Sequence, residues 1–262
     1  MKTIEALLVT KGHSFEREPF FKMIDRLKYP SPGIRIHWTH VEHPAAAAVL
    51  HPERAAAFDV IVFYDMPGVV FTRDNPPFAH FDPSDQYKAD FISLLDSGKG
   101  MVFLHHAIAD WPTWPEFAEL IGGRFHFRPG ELGGQSYPGS GYRFDVPQTI
   151  TVLDTEHPIT QGLGETFEIQ DEAYMYAVLE DKVTPLLRTD FQQTPDQFRY
   201  GGLGFKDHPE GSSLVGWTKQ ARKSDIAYLQ LGHGPDIYED TKYQNLKANS
   251  VAWAASQPSQ TR

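Results

Sequence analysis

The sequence contains no cysteine. Disulfide bonds, thiolate nucleophiles and cysteine-ligated zinc sites are therefore excluded. It also has no apolar run near the roughly 20 residues that a membrane-spanning helix requires, and its first residues lead into an apolar segment at 4–10 without the features of a signal peptide. These absences predict a cytoplasmic protein that does not act in a membrane, with the mature form of an exported protein as the alternative.

Positive charge is scarce. The 24 Lys and Arg residues are outnumbered by 34 Asp and Glu, so the formal net charge is −10. Because no basic stripe is available to neutralise phosphates, a nucleic-acid partner or an anionic membrane surface is not expected. The motifs of nucleotide-binding loops, zinc proteases and serine hydrolases are also missing. Any active site must therefore be built from residues that are scattered along the chain.

Apolar residues make up 40% of the chain and aromatic residues 13%, enough for a substantial core. In the first half, apolar runs alternate with segments of helical spacing, which is typical of a doubly wound, mostly parallel sheet with helices on both faces. The second half predicts a β-rich elaboration of the same domain, residues 1–262. The predicted strands lie at 4–10, 34–41, 59–64, 101–104, 149–153, 167–170, 186–188, 213–217 and 226–231, and the predicted helices at 16–27 (with a break at 30–33), 51–58, 83–95 and 243–255.

The segment from 98 to 123 is the centre of this pattern. A short apolar strand ends at His105 and His106, and a helix follows that Asp110 or Thr113 could cap and that ends at a pair of glycines. In open α/β sheets, ligands bind outside the carboxyl ends of the strands. The two histidines are therefore predicted to lie at the ligand-binding edge.

Other reactive side chains also follow predicted strands. Because the carboxyl ends of parallel strands meet at one edge, we expect these side chains to converge there. Imidazoles and carboxylates together supply general acid–base catalysis or a metal site. The residues at predicted strand ends are His13, Asp65, His105, His106, Asp171, Glu172, His233 and Asp236.

Each candidate also has a purely structural interpretation. One histidine of the pair 105–106 could be a hydrogen-bonded core residue, His13 could serve a turn, and His126 could point from a strand into solvent. The acidic pair 171–172 is compatible with a solvated turn, and Asp236 with a turn cap. The residue patterns do not decide between these interpretations.

Eight short blocks, in the expected order, resemble successive blocks of the ThuA-like (trehalose utilisation) family. They cover nearly the whole chain. The blocks lie at residues 9–15, 59–65, 98–106, 120–125, 157–163, 171–174, 215–217 and 231–233.

The resemblance implies a flavodoxin-like fold similar to that of class I glutamine amidotransferases. Those enzymes place a cysteine nucleophile at the corner after a central strand, where this chain has His105 and His106, so amidotransferase activity is not expected. Family members are associated with the use of trehalose and related disaccharides, alongside dehydrogenases that produce 3-keto sugars. The segment around His13 and the doubled histidine suggest a subgroup whose substrate differs from trehalose.

The leading hypothesis is an enzyme that acts on a 3-keto-glycoside or a related oxidised sugar, by cleavage or isomerisation. A carbonyl at C3 acidifies the C2 hydrogen, so a base is needed there and an electrophile is needed at the carbonyl oxygen. Glu172 or His105 could be the base. His13 and His233 could polarise the carbonyl, directly or through a divalent metal ion held with His105, while Asp236 orients His233.

The expected partner is a small carbohydrate, and a homo-oligomer is left open. Two alternatives remain: a non-catalytic sugar-binding or regulatory module, and a metal-dependent hydrolase of ordinary glycosides. Two tryptophans and a tyrosine are candidate platforms for sugar rings. The full set of expected substrate-binding residues is His106, Asp65, Trp111, Trp114, His126, Asp171, Tyr174 and Asp236.

Overall fold

A computed structural model describes residues 2–28 and 33–256, so most of the predicted break at 30–33 lies outside the described residues. The strands are β1 (Lys2–Lys11), β2 (Ile34–Glu42), β3 (Val60–Asp65), β4 (Val69–Phe71), β5 (Phe78–His80), β6 (Gly100–Leu104), β7 (Gly123–Arg124), β8 (Gly130–Leu132), β9 (Gln135–Tyr137), β10 (Gly141–Val152), β11 (Thr166–Met175), β12 (Ala177–Val178), β13 (Thr184–Thr189), β14 (Tyr200–Gly201), β15 (Leu214–Ala221) and β16 (Ser224–Leu229). The α-helices are α1 (Arg17–Arg26), α2 (Ala46–Val49), α3 (Pro52–Ala55), α4 (Asp85–Asp96), α5 (Pro115–Ile121), α6 (Pro235–Glu239) and α7 (Thr241–Ala254).

A ten-stranded sheet forms the centre of the molecule. Its parallel half has the order β2-β1-β3-β6-β16, which is the strand order of flavodoxin-like folds. Antiparallel pairing then extends the sheet through β15, β13, β10 and β11. The predicted flavodoxin-like α/β fold with a β-rich elaboration is confirmed.

The two faces of the sheet are covered by different helices. Side chains of successive strand residues point to opposite faces, so Ala6 and Leu8 of β1 pack with α1 and α7. Leu7 and Val9 pack on the other face with α4 and α5. Because both faces are covered, the central strands are continuous apolar runs, as buried parallel strands usually are.

Several local predictions are corrected by the structure. The predicted helix at 51–58 is shortened to α3, and the short helix α2 precedes it. A 3-10 helix, His105–Ala109, separates β6 from α5, which begins after Trp114 without a side-chain cap, so neither Asp110 nor Thr113 caps it. Its end at Gly122, in the left-handed conformation, agrees with the prediction.

The acidic pair 171–172 lies inside a strand rather than after one. The predicted strand at 167–170 continues to Met175 as β11, and Asp171 and Glu172 are both buried within it. The apolar–polar pattern hid this continuation because two buried carboxylates interrupt it. None of the described helices has the length and apolarity that crossing a membrane requires.

Lys247 on α7 is fully buried beneath the sheet. Its Nζ lies 3.7 Å from Met23 Sδ and 4.8, 5.0 and 5.7 Å from the ring centres of Tyr243, Phe20 and Tyr64. Within residues 2–28 and 33–256, it forms no ion pair. Burial lowers the pKa of Lys247 to about 7, so a substantial fraction of the folded protein carries this lysine uncharged at neutral pH.

This burial predicts that stability rises with pH. Between pH 7 and pH 9 the unfolded chain keeps its lysine protonated while the folded protein loses that proton, so the unfolded state binds more protons. The free energy of unfolding should increase by about 2 kcal/mol over this interval. Urea denaturation at both pH values measures it, and Lys247→Met should remove the increase. Equal pH slopes for the two proteins would contradict this account.

Candidate functional site

A cavity of about 370 Å³ opens at the carboxyl ends of β1, β3 and β6. Its volume lies within the range of small-molecule sites. Its lining includes the reactive side chains His13, Glu16, His106, Glu172, Tyr174 and His233. Aromatic rings form much of the remaining wall, from Phe15, Phe71, Phe125, Phe127, Tyr142 and Phe144.

Two of these groups, Glu172 and His233, form a close triangle with His105, which is fully buried. Glu172 Oε2 lies 2.9 Å from His105 Nε2 and 3.0 Å from His233 Nδ1. The two imidazole nitrogens are 3.2 Å apart, and the Tyr174 hydroxyl lies 2.9 Å from His105 Nε2. One buried carboxylate oxygen is therefore shared by histidines that are 128 residues apart in the sequence.

His105 is held in an unusual backbone conformation at the start of the 3-10 helix. Its φ is +51°, which for a residue other than glycine costs on the order of 1–3 kcal/mol. Two hydrogen bonds hold it there: the Nδ1–H group donates to the Gln230 carbonyl (2.6 Å), and the Tyr228 hydroxyl donates to the His105 carbonyl (2.9 Å). The imidazole therefore directs Nε2 at Glu172.

The partners of this triangle are fixed by the segment that follows β16. Both carboxylate oxygens of Asp171 accept backbone hydrogen bonds, from Gly232 (2.6 Å) and His233 (3.0 Å). The Gln230 side-chain amide donates to the Glu172 carbonyl (2.7 Å). Asp171 thus positions the backbone that carries His233, and Glu172 is the member of the acidic pair that faces the cavity.

His13 and His106 form a second pair on the cavity wall, with ring centres 4.7 Å apart and nearly parallel planes. The His13 Nδ1–H group donates to the Ser14 carbonyl (2.7 Å), which leaves Nε2 as the basic nitrogen. Gly12 makes this turn possible because its φ is +102° and an added Cβ would lie 2.2 Å from the Met66 carbonyl oxygen.

The pKa shifts divide the site into two pairs: Glu172 and His233 favour the charged form, and His13 and His106 favour the neutral form. Burial alone would raise the pKa of Glu172, but hydrogen bonds from His105 and His233 outweigh burial and lower it to about 2. Burial lowers the pKa of His233, yet its hydrogen bond to Glu172 more than compensates, so the net shift is upward. Burial, together with the charge of His105, lowers the pKa of His13, and burial places that of His106 well below its ordinary value.

Comparison with known proteins identifies the relatives of this chain. Residues 6–254 match the family model described as trehalose utilisation (ThuA). The chain belongs to the ThuA family. This membership implies a role related to carbohydrates.

Several solved structures share the fold of this ThuA-family protein, although their sequence identity to it is low. A putative ThuA-like protein from Parabacteroides merdae has a TM-score of 0.67 and 15% identity, over 100% of this chain and 93% of that one. One from Bacteroides uniformis has a TM-score of 0.62 and 19% identity, over 96% and 91%. A cytoplasmic protein from Salmonella typhimurium has a TM-score of 0.56 and 11% identity, over 96% and 98%. A search of curated proteins found no match.

Several predicted site residues of the ThuA-family protein lie away from the cavity. Trp111 and Trp114 are buried in the core with α4 and α5, so neither offers a face to a sugar. Asp65 is fully buried and contacts His43 Nε2 at 2.8 Å. His126 stacks on Tyr137 instead.

Asp236 is also separate from the site. It is exposed in the first turn of α6 and lines a different, shallow surface cavity beside β10 and β11. Glu172 and the Asp171-anchored backbone orient His233 in its place. Gln230 and Tyr228, which hold His105, are not predictable from the sequence because their pattern is that of ordinary buried strand positions.

Asp171 should be critical for stability. Asp171→Ala leaves the buried N–H group of Gly232 and the partly buried N–H group of His233 without acceptors, and each such loss costs up to about 1–3 kcal/mol. We expect the free energy of unfolding to fall by about 2–5 kcal/mol in urea denaturation. The matched control Asp236→Ala, at an exposed position, should change it by less than about 0.5 kcal/mol. Equal effects of the two substitutions would contradict the positioning role.

Proposed function

We propose that this ThuA-family protein is an enzyme that cleaves the glycosidic bond of a 3-keto-glycoside by acid–base chemistry. The observation that carries the proposal is the buried Glu172 carboxylate, shared by His105 and His233 at the wall of an aromatic cavity. Strongly shifted pKa values in a cleft are typical of catalytic sites. The family's link to carbohydrates supports a sugar as the substrate.

The cavity wall suits a sugar ring. Aromatic faces pack against the apolar C–H faces of a pyranose, while the imidazoles and the carboxylate can meet its oxygen atoms. Phe71 and Phe144 are about half exposed, at 54% and 41%, and both line the cavity. We propose that the oxidised ring lies inside, against the histidines, and that the aglycone extends towards these two phenylalanines.

The proposed reaction begins at C2. The carbonyl at C3 acidifies the C2 hydrogen; a base removes this proton, the electron pair forms a C1–C2 double bond, and the C1–O bond to the aglycone breaks. The aglycone oxygen takes up a proton and leaves as an alcohol. Addition of water across the double bond, with OH at C1 and H at C2, then gives the free 3-keto sugar. The net change is hydrolysis, so no oxidant or reductant is consumed.

His13 is the proposed base. Its lowered pKa keeps the imidazole neutral at pH 7, and Nε2 is the free basic nitrogen because Nδ1 donates to Ser14. Glu172, with a pKa of about 2, is too weak a base for a C–H bond. Its proposed role is instead to hold His105 and His233 as the electrophilic group beside the C3 carbonyl oxygen, where charge develops as the proton leaves.

The test is turnover of an aryl 3-keto-glucoside. His13→Gln should lower kcat by about 10²- to 10⁴-fold because the general base is lost, and Glu172→Gln should lower it by a similar factor. The matched control is His37→Gln, an exposed histidine on β2 that contacts Glu5; it should leave kcat unchanged. Release of the aryl alcohol, followed by absorbance, is the measurement.

Three outcomes would contradict the proposal. Unchanged turnover in His13→Gln and Glu172→Gln would remove the site assignment. Binding of the keto-glucoside without any turnover by the wild-type protein would favour a sugar-binding module. Equal rates on the keto-glucoside and on the unoxidised glucoside would indicate a hydrolase that does not need the C3 carbonyl.

A further inference from the structure

We infer that His105 Nε2, Glu172 Oε2 and His233 Nδ1 form a binding site for one divalent transition-metal ion. The three atoms lie within 4.8 Å of one another and are separated by 2.9, 3.0 and 3.2 Å. Ligand atoms about 2.1 Å from one tetrahedral ion are roughly 3.4 Å apart. The triangle is therefore only slightly smaller than a loaded site, and small side-chain movements would open it.

The proton on His105 supports this inference. A backbone carbonyl can only accept a hydrogen bond, so Nδ1 must carry the proton that it donates to Gln230. In the neutral ring, Nε2 then has a lone pair that faces the Glu172 carboxylate at 2.9 Å. Two acceptors at this distance need a proton or a metal ion between them. Either a second proton on His105 or one metal ion can fill this role, and the metal ion also engages His233 Nδ1, which lies 3.0 Å from Glu172 Oε2.

The surroundings have the form of a supported metal site. Metal-bound histidines usually donate a hydrogen bond from their other ring N–H group to a carbonyl or carboxylate, which fixes their orientation. The Gln230 carbonyl accepts this bond from His105, the Gln230 side chain holds the backbone of Glu172, and Asp171 fixes the backbone of His233. The ligand set is therefore organised before any ion binds.

Two imidazoles and one carboxylate favour a borderline ion such as Zn²⁺, Fe²⁺ or Mn²⁺ over Ca²⁺ or Mg²⁺, which prefer oxygen ligands. His13, expected from the sequence as a ligand, does not belong to the triangle; Glu172 takes its place. Three protein ligands leave at least one position for water or substrate, as in catalytic sites. The Tyr174 hydroxyl, 2.9 Å from His105 Nε2, lies where it can hydrogen-bond such a ligand.

The metal site is inferred from geometry alone. Its role in catalysis rests on the proposed function. A metal ion beside the cavity would polarise the C3 carbonyl oxygen as a Lewis acid. The two ideas can fail separately, because metal affinity is measured without a sugar.

The experiment uses the untagged full-length protein after treatment with a chelator and its removal by dialysis. Titration calorimetry with Zn²⁺ and with Mn²⁺ should show one equivalent bound, and Co²⁺ should give a visible absorption band that reports its ligands. His233→Ala and Glu172→Gln should each weaken the affinity by 10²-fold or more. The control His126→Ala, at a buried histidine outside the cavity, should retain one equivalent. Circular dichroism confirms that the variants fold.

Binding of less than a third of an equivalent, or equal affinity in His233→Ala and the wild type, would overturn the inference. Stoichiometric binding that both variants abolish, with no turnover of the keto-glucoside by the loaded protein, would support the metal site and contradict the proposed function. Undiminished turnover by protein that binds no metal would contradict the metal site and support the proposed function.

Discussion

The carboxylate of Glu172 is the contact on which the site depends. It joins the corner after β6, through His105, to the loop after β16, through His233, and its own strand β11 lies at the far edge of the sheet. A buried carboxylate is costly unless charged or hydrogen-bonding partners surround it. The two imidazoles supply those partners, so the burial of Glu172 and the convergence of the histidines depend on each other.

The fold brings these parts together in two stages. The parallel half places His13 and the 105–106 pair at one edge, as the carboxyl ends of flavodoxin-like strands do. The antiparallel extension then brings β10 and β11 to that edge, where Tyr142, Phe144 and Tyr174 form one wall of the cavity. Glu172 therefore reaches the corner after β6 from the antiparallel part of the sheet.

The sequence predicts the fold and the convergence well, because buried parallel strands are continuous apolar runs and their ends share an edge. It does not reveal which side chain of a pair faces the cavity, since a shift of one residue in a strand reverses the choice. Asp171 and Glu172 show this: one anchors a backbone and the other lines the cavity. Trp111 and Trp114, predicted as sugar platforms, are buried in the core, because the spacing of aromatic residues does not distinguish a core from a binding surface.

Proton abstraction at C2 is the central claim, and hydrogen–deuterium exchange tests it most directly. A 3-keto sugar that has no aglycone, such as 3-keto-1,5-anhydroglucitol, can lose its C2 proton but cannot be cleaved. In D₂O, proton NMR should show loss of the C2 signal at least about 10²-fold faster with the wild-type protein than in buffer. Exchange at the buffer rate, at concentrations where line broadening shows the sugar to be bound, would contradict the account.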